Sequence, residues 1–360
     1  MADKNHWIQV LRGVAALMVV FFHLGEYWAL VPELQFTKVV THWGFAGVDI
    51  FFVLSGYVVY QSADKSEFDV RRFLTRRAMR IYLGYWPVLL ALVVLSIFGL
   101  TYPSEHRNLS SVLLLEPFMW NNWLPTAWSL TYELYFYLWI AFICALKWVP
   151  RGLTLLVFIL AVLVWNLAVL LLYPAEVYAG HQTLRFPMTS LGLEFLAGAA
   201  IAHLNRRHRL MVDRPTTFFI IGCLLVIGGF ALGTSSPQFD TIDILRAGSY
   251  GVAAMGALLA VLAMSGFSLK APLILVAIGD ASYSLYLIHP ILLWLMGAFQ
   301  FRYIAAGSLG QLGFLLLVPV LVVVISLFWF RWVEHPLFQA VANDNLVQRL
   351  LDQWRNRLSR

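Results

Sequence analysis

The sequence predicts an all-α, polytopic membrane protein with about ten transmembrane helices and with both termini in the cytoplasm. Of its 360 residues, 61% are hydrophobic and only 12% are charged, whereas about 25% of a typical soluble domain is charged. The apolar residues form runs long enough to cross about 30 Å of hydrocarbon, and the mean hydropathy of the chain is +0.76. Lysine and arginine are unevenly distributed between these runs, which predicts the orientation.

The predicted spans cover residues 7–30, 43–61, 77–101, 126–147, 152–173, 187–204, 216–233, 243–264, 273–299 and 309–332. With a cytoplasmic N-terminus, 20 of the 25 Lys and Arg residues lie on the inner side. The five in outer segments are Lys38, Arg107, Arg185, Arg246 and Arg302. The positive-inside rule therefore places both termini in the cytoplasm. The same distribution argues against nucleic acid as a partner for the net charge of +6 and favours contact with membrane lipid.

We expect one domain followed by a short tail. Residues 1–335 are the predicted transmembrane domain. Residues 336–360 are a predicted cytoplasmic amphipathic tail, with Leu346, Leu350 and Trp354 on one side.

The remaining segments indicate neither a second domain nor a metal site. Residues 110–126 are apolar but too short and too interrupted by proline to span, which predicts a re-entrant or interfacial segment on the outer side. Cys144 and Cys223 lie inside apolar runs. We therefore predict no disulfide framework and no metal ligands.

The first predicted helix carries three ionisable residues in an otherwise apolar run, Arg12, His23 and Glu26. Arg12 and His23 are eleven residues apart, so they lie within roughly 20° of each other around the helix and about 16 Å apart along it. One face therefore carries a cation near one membrane surface and a titratable base deep in the membrane. Ionisable residues inside a bilayer are costly and commonly functional; an interfacial arginine and a hydrogen-bonded core histidine are the alternative.

Five ionisable residues on five different spans are predicted to share one depth, about 9–15 Å below the outer surface. They are His23, Asp49, Glu133, Glu194 and His289. Polar groups at that depth must pair with one another or line a wet cavity. Two histidines with three carboxylates indicate acid–base chemistry or a proton path, and a structural hydrogen-bond network is the alternative.

A second cluster, at the cytoplasmic end of the spans, consists of Arg12, Arg77 and Arg80. The guanidinium fork pairs well with phosphate oxygens, so three arginines at a membrane boundary predict an anion site. A donor with a phosphate-bearing head at these arginines and a thin arm along the first helix to His23 has the shape of an acyl-CoA. We therefore predict acyl-CoA as the donor substrate.

Several motifs occur in order along nearly the whole chain. They are LRGVAALMVVFFH with Arg12 and His23, GFAGVDIFFVLSGYVVY with Gly47, Asp49, Ser55 and Gly56, RRAMRIY with Arg77 and Arg80, WSLTYELYFY with Trp128, Ser129 and Glu133, LEFLAGAAIAHL, SYSLYLIHP, and VEHP at Val333 to Pro336. This ordered set resembles the acyltransferase-3 family of bacterial membrane acyltransferases. One departure is Leu83, where many members have a proline; we expect it to alter a helix kink and to remove no functional group.

The resemblance implies a multi-pass protein of the bacterial inner membrane that transfers an acyl group, usually acetyl, from cytoplasmic acyl-CoA to a glycan hydroxyl at the outer side. The short outer loops and SYSLYLIHP are most similar to the exopolysaccharide O-acetyltransferase branch. Some members carry an extracytoplasmic hydrolase-like domain, and we expect none here because the sequence ends at Arg360. By the same resemblance His23 is the central catalytic residue. The residues that handle the donor are Arg12, Arg77 and Arg80.

We predict that His23 is a general base that deprotonates a sugar hydroxyl as it attacks the thioester carbonyl. Asp49 or Glu133 would orient the imidazole or stabilise its cationic form. Glu26, one turn beyond His23, is an alternative orienter, although the sequence favours a solvated residue at the outer rim. His289 would position the acceptor or support the network, and a core histidine before proline is the alternative. An acyl-histidine intermediate is an alternative to direct transfer.

A transporter or proton-coupled carrier is the competing function class, since buried histidines and carboxylates also build proton relays. Such carriers commonly have broken helices at matched positions in two halves, and the sequence shows no such pairing. Aromatic residues near the outer surface are able to stack on sugars, but they are also common at membrane interfaces. Trp120, Trp123 and Trp128 are therefore left out of the predicted catalytic set.

Overall fold

The computed structural model of the chain is helical in its regular structure. It describes residues 5–28, 41–64, 67–103, 107–172, 186–208, 213–236, 243–267, 269–303 and 309–343. No strand occurs within these ranges, and the predicted all-α class is confirmed. Leu346, Leu350 and Trp354, which define the apolar side of the predicted tail, lie outside the described residues.

The helices follow the apolar runs of the sequence. In chain order they are α1 (His6–Trp28), α2 (Ala46–Ala63), α3 (Val70–Ile97), α4 (Leu109–Val112), α5 (Trp128–Ala145), α6 (Arg151–Leu172), α7 (Leu191–His208), α8 (Pro215–Gly233), α9 (Asp243–Arg246), α10 (Val252–Met264), α11 (Leu273–Asp280), α12 (Ser282–Tyr303), α13 (Leu309–Trp329) and α14 (His335–Asn343). The π-helices Ala247–Gly251 and Phe330–Glu334 join α9 to α10 and α13 to α14. Short 3₁₀ turns precede α2, α5 and α7.

Eight helical segments in the described ranges are long and apolar enough to cross a membrane. They are His6–Trp28, His42–Ala63, Val70–Ile97, Arg151–Leu172, Pro215–Gly233, Ile244–Met264, Ser282–Gln300 and Gly310–Ala340. The other two predicted spans, 126–147 and 187–204, coincide with α5 and α7, which have 18 residues each and are richer in polar side chains. The chain is thus a multi-pass membrane protein, as its composition predicts.

The third span begins earlier than the sequence predicts. The predicted span starts at residue 77, whereas α3 starts at Val70, so Arg77 lies two turns inside the helix. Asp69 caps the helix, because its side chain accepts a hydrogen bond from the backbone N–H of Arg72 at 2.9 Å. Arginine is a good helix former, and the basic sequence VRRFLTRR therefore continues the helix although it is not apolar.

The chain divides into two compact units, which are described separately. Unit 1 comprises Met1–Ala15, Phe45–Phe68 and Leu138–Gly279, and unit 2 comprises Ala16–Gly44, Asp69–Tyr137 and Asp280–Arg360. The division falls within α1, within α5 and before the last residue of α11. The beginning of α1 and the end of α5 therefore belong to unit 1.

In unit 1, α2 packs against α7 and α10, and α8 packs against α10. Helices α2 and α7 meet closely at Gly198, where an added Cβ would lie 1.9 Å from the carbonyl oxygen of Val53. Only glycine allows that approach of two backbones. At the end of α2, Asp64 pairs with Arg151 and, at 3.2 Å, with Arg206. The positive-inside distribution predicts a cytoplasmic location for the three helix ends that meet here.

In unit 2, α12 packs against α13 and α3, and α14 packs against α3. Three side chains from the middle of α3 donate hydrogen bonds of 2.7–3.1 Å to carbonyl oxygens of the segment that contains α4. The pairs are Tyr82 with Leu113, Tyr85 with Ser111 and Trp86 with Val112. The next residue, Leu114, is buried and has φ 54°, a left-handed conformation that costs about 1–2 kcal/mol. These hydrogen bonds hold irregular backbone against a membrane helix, as its burial requires.

Candidate active site

His289 has a fixed orientation on α12. It precedes Pro290 and is fully buried. Pro290 lacks a backbone N–H, so the carbonyl of Tyr286 loses its usual helical partner, and the His289 ring lies against this turn. Nδ1 of His289 is 3.0 Å from the carbonyl oxygen of Leu285. A carbonyl oxygen only accepts hydrogen bonds, so Nδ1 carries a proton and the neutral ring has its lone pair at Nε2.

Nε2 of His289 is buried and has no hydrogen-bond partner among the described residues. Leaving a buried acceptor unpaired costs about 1–3 kcal/mol, and most buried polar groups in native proteins are paired. Unit 2 therefore contains an unused proton acceptor, of the kind that a ligand group would satisfy.

His23 lies beside His289. The two ring centroids are 5.2 Å apart, and the ring planes are inclined by 32°. His23 is half-buried, whereas Glu26, one turn further along α1, is exposed. Gly44 approaches this part of α1 so closely that an added Cβ would lie 2.1 Å from the carbonyl oxygen of Met18. The structure therefore brings together the two histidines that the sequence predicts at one depth.

A hydroxyl pair lies one turn from His289. The hydroxyl groups of Tyr286 and Ser129 are 2.8 Å apart, and both are within hydrogen-bond distance of the carbonyl oxygen of Thr126, at 3.2 and 3.1 Å. The ring centroids of Tyr286 and His289 are 6.1 Å apart. This cluster joins the start of α5 to α12 next to the histidine pair.

Glu133 belongs to a different network of unit 2. The Tyr137 hydroxyl donates a hydrogen bond to Glu133 Oε1 at 2.5 Å. Arg77 hydrogen-bonds to Tyr137, and its Cζ lies 5.8 Å from the ring centroids of Phe73 and Tyr137. The sequence predicts Glu133 in the outer layer and Arg77 in the cytoplasmic cluster. Because α3 begins at Val70, Arg77 lies two turns inside the helix, and there it interacts electrostatically with Glu133. That Glu133 orients His23 stays a prediction.

The two arginines of the Arg-x-x-Arg motif have different surroundings. Arg77 is half-buried, whereas Arg80 is exposed. The guanidinium carbon of Arg80 lies 4.9 Å from the ring centroid of Phe338, in α14. An exposed guanidinium stacked on an aromatic ring is well suited to bind an anion at its edge.

Asp49 forms an ion pair inside unit 1. Its carboxylate is fully buried and accepts two hydrogen bonds from Arg246, from Nε at 2.9 Å and from Nη2 at 2.6 Å. The guanidinium carbon of Arg246 also lies 4.7 Å from the ring centroid of Phe45. This two-bond geometry is the strong form of an arginine–carboxylate pair. That Asp49 orients His23 stays a prediction.

The remaining predicted residues, Glu194 and Arg12, also lie in unit 1. Glu194 is buried and packs against the π-helix at Gly251, where an added Cβ would lie 2.9 Å from the Glu194 Cγ. Arg12 is half-buried near the start of α1. Because Arg77 and Arg80 belong to unit 2, the predicted cluster of three arginines stays a prediction.

Three partners of the site residues were not predicted from the sequence. Tyr137 and Tyr286 are four residues from Glu133 and three residues from His289, and this helical spacing is a signal that could have identified them. Arg246 carries no such local signal, because it lies 197 residues from the carboxylate that it binds.

The described residues offer two kinds of chemistry. A neutral imidazole with a free lone pair beside a second imidazole supports proton transfer at His23 and His289. The exposed guanidinium of Arg80 supports anion binding. Within the described ranges, no group of three His, Cys, Asp or Glu side chains is arranged to hold a metal ion.

Comparison with known proteins identifies the family of the chain. Residues 5–330 match the sequence profile of a family described as "Acyltransferase domain". The chain is 29% identical over 326 residues to the peptidoglycan O-acetyltransferase OatA of Listeria monocytogenes, an alignment covering 78% of this chain and 48% of that protein. It is 30% identical over 258 residues to the exopolysaccharide production protein ExoZ of Rhizobium meliloti, covering 68% of this chain and 75% of that protein. The chain thus spans about half the length of the Listeria protein. No solved structure matches it.

Proposed function

The chain belongs to the acyltransferase-3 family, and on this premise we propose that it is a membrane O-acyltransferase. The acyl group, with acetyl as the first candidate, passes from cytoplasmic acyl-CoA to a hydroxyl of an exopolysaccharide or other cell-envelope glycan. Transfer takes place at the outer side of the bacterial inner membrane. A glycan acceptor is supported by the names of the two relatives, a peptidoglycan O-acetyltransferase and an exopolysaccharide production protein.

The observation that carries this proposal is the unpartnered Nε2 of His289 next to His23. Because Nδ1 donates to the Leu285 carbonyl, Nε2 is only able to accept a hydrogen bond. The matching ligand group is a hydrogen-bond donor such as a hydroxyl, whereas a carboxylate or phosphate oxygen would leave Nε2 unsatisfied. A sugar supplies neighbouring hydroxyls, so one of them donates to His289 while the next faces His23.

In the proposed reaction His23 is the general base. It takes the proton from the attacking hydroxyl as the oxygen forms a bond to the thioester carbonyl carbon. The tetrahedral intermediate then collapses, the carbon–sulfur bond breaks, and the imidazolium of His23 returns the proton to the departing thiolate. The products are the sugar ester and CoA. His289 stays neutral throughout, because positive charge on two neighbouring buried rings would be strongly unfavourable.

The negative charge of the acyl-CoA phosphates assigns the donor site to the three arginines. Arg12, Arg77 and Arg80 would bind the phosphate groups of acyl-CoA, and Arg80 is the most exposed of the three. Arg12 and His23 lie eleven residues apart on one continuous helix, which corresponds to about 16 Å along its axis. The pantetheine arm would follow this helix and carry the thioester to His23.

The position of His23 on α1 favours entry of donor and acceptor from opposite sides. It lies about 24 Å along the helix from Trp7 and about 8 Å from Trp28. With the predicted orientation, a glycan reaches His23 over a much shorter path from the outer side than from the cytoplasm.

Sealed, oriented vesicles test the proposal. Labelled acetyl-CoA on the cytoplasmic side alone should acetylate a glycan supplied only on the outer side, and the label should be recovered as an ester. Vesicles with His23→Ala provide the inactive control. Product that forms only when both substrates are on the cytoplasmic side would contradict the cross-membrane route. Movement of glycan or solute without a new ester would instead favour a carrier.

A further inference from the structure

The VEHP motif and the π-helix that includes its first two residues have no role in the reaction described above. Phe330–Glu334 forms the π-helix, and α14 begins at His335. A π-helix changes the register of the helix that follows it, and such segments are frequent at functional sites. The helix that follows, α14, packs on α3.

Glu334 fixes this segment to α12. Its side chain is buried and accepts a hydrogen bond from the hydroxyl of Ser284, which is also buried. A buried carboxylate needs such a partner, because an unsatisfied one would be costly. Glu334 therefore holds the start of α14 at a defined place beside the helix that carries His289.

One turn beyond Glu334, Phe338 presents its ring to Arg80. The guanidinium carbon lies 4.9 Å from the ring centroid, within the range of a cation–π contact. Arg77 makes its aromatic contacts with Phe73 and Tyr137 instead. Phe338 of α14 thus contacts the Arg-x-x-Arg motif at Arg80, the exposed arginine of that motif.

We propose that Phe338 is a positioning residue of the donor site, which holds Arg80 ready for a phosphate group of the nucleotide end of acyl-CoA. Stacking uses the face of the guanidinium, whereas its N–H donors point outward in the plane. Ring and phosphate therefore bind the same side chain without competing. Holding the long Arg80 side chain in place also lowers the entropy lost when the anion binds. This assignment rests on the proposed function, because it takes acyl-CoA as the donor.

Binding of CoA to the full-length protein in detergent tests the assignment, with pantetheine, which lacks the nucleotide, as the second ligand. Phe338→Leu and Phe338→Met keep an apolar side chain but remove the aromatic face. Each should weaken CoA binding about two- to fivefold, the range of a partly exposed cation–π contact. Pantetheine binding should not change, and Phe338→Tyr should bind CoA like wild type. Trp332→Leu is the matched control, because Trp332 is an exposed aromatic residue of the same segment.

Arg80→Ala separates a specific contact from a general effect on folding. If Phe338 acts through Arg80, then Phe338→Leu causes no further loss of CoA affinity in the Arg80→Ala background. Equal weakening of CoA and pantetheine, or the same loss with and without Arg80, would overturn the assignment. Wild-type protein that does not bind CoA would overturn the proposed donor itself. If CoA binding depends on Arg80 but is unchanged in Phe338→Leu and Phe338→Met, then Phe338 does not position the donor site, and only the role of Arg80 stands.

Discussion

Two buried polar clusters, one in each unit, differ in whether their hydrogen-bonding capacity is used. In unit 1, both oxygens of the Asp49 carboxylate accept hydrogen bonds from Arg246. In unit 2, Nε2 of His289 is buried without a partner among the described residues, although the His23 ring lies close by. The Asp49 carboxylate is thus satisfied by a side chain of unit 1, whereas Nε2 of His289 remains able to accept a hydrogen bond from a bound group.

The sequence predicts Asp49, His23 and His289 at one depth, so depth alone does not distinguish their roles. Their partners separate them. A saturated ion pair joins helices and neutralises buried charge. An unsaturated imidazole keeps a cost in the folded state that a bound substrate relieves. On the proposed function, unit 2 would contribute the proton chemistry and Asp49 would contribute mainly to the structure of unit 1; both roles stay predictions.

The largest expected effect is that of His23→Ala. Removal of a general base should lower kcat by about 10²–10⁴-fold, while CoA binding and the thermal unfolding midpoint stay close to those of wild type. Initial rates with labelled acetyl-CoA and a direct CoA-binding assay measure the two quantities separately. Wild-type turnover in His23→Ala would assign the base elsewhere, and lost CoA binding would move the donor site towards His23.

The next largest expected effect is a loss of stability when the ion pair of Asp49 with Arg246 is broken. Asp49→Ala leaves Arg246 without its carboxylate partner, so we expect a loss of stability of about 3–5 kcal/mol, measured as a lower unfolding midpoint. The double variant Asp49→Leu, Arg246→Met removes both charges and should recover much of that stability, together with turnover per folded molecule. A double variant that folds but does not turn over would show that this pair takes part in the chemistry, as the sequence alone predicts for Asp49.

The sequence predicts the helices well because long apolar runs directly report membrane spans. It also brings His23 and His289 to one depth, since a helical rise of about 1.5 Å per residue converts position into depth. The same conversion fails where a helix end is misplaced. Arg77 is predicted at a helix end, but α3 starts at Val70, and Arg77 therefore meets Tyr137 inside unit 2.

Partners across the fold are the part that one sequence does not reveal. Arg246 is predicted only as an outer cation, and its pairing depends on how α2 and the segment after α9 pack. The contact of Phe338 with Arg80 depends in the same way on the π-helix before α14. Neither contact has a local spacing that would identify it, because both join residues that are distant in the chain.

The smallest of the three effects that concern these two clusters is that of His289→Ala, and it tests whether the unpaired Nε2 serves the acceptor. Loss of one hydrogen bond from a sugar hydroxyl should raise the KM for the glycan about two- to tenfold and lower kcat less. Slow hydrolysis of acetyl-CoA by water should be unchanged, because water does not need the contact that positions a sugar. His203→Ala is the matched control, since His203 is also buried but its Nδ1 is satisfied by the Tyr60 hydroxyl at 2.8 Å. That control should lower stability without changing the KM for the glycan. If His289→Ala reduces hydrolysis as strongly as glycan transfer, then His289 acts on the thioester chemistry itself. The assignment of His23 as the base and of His289 as a positioning residue would then be wrong.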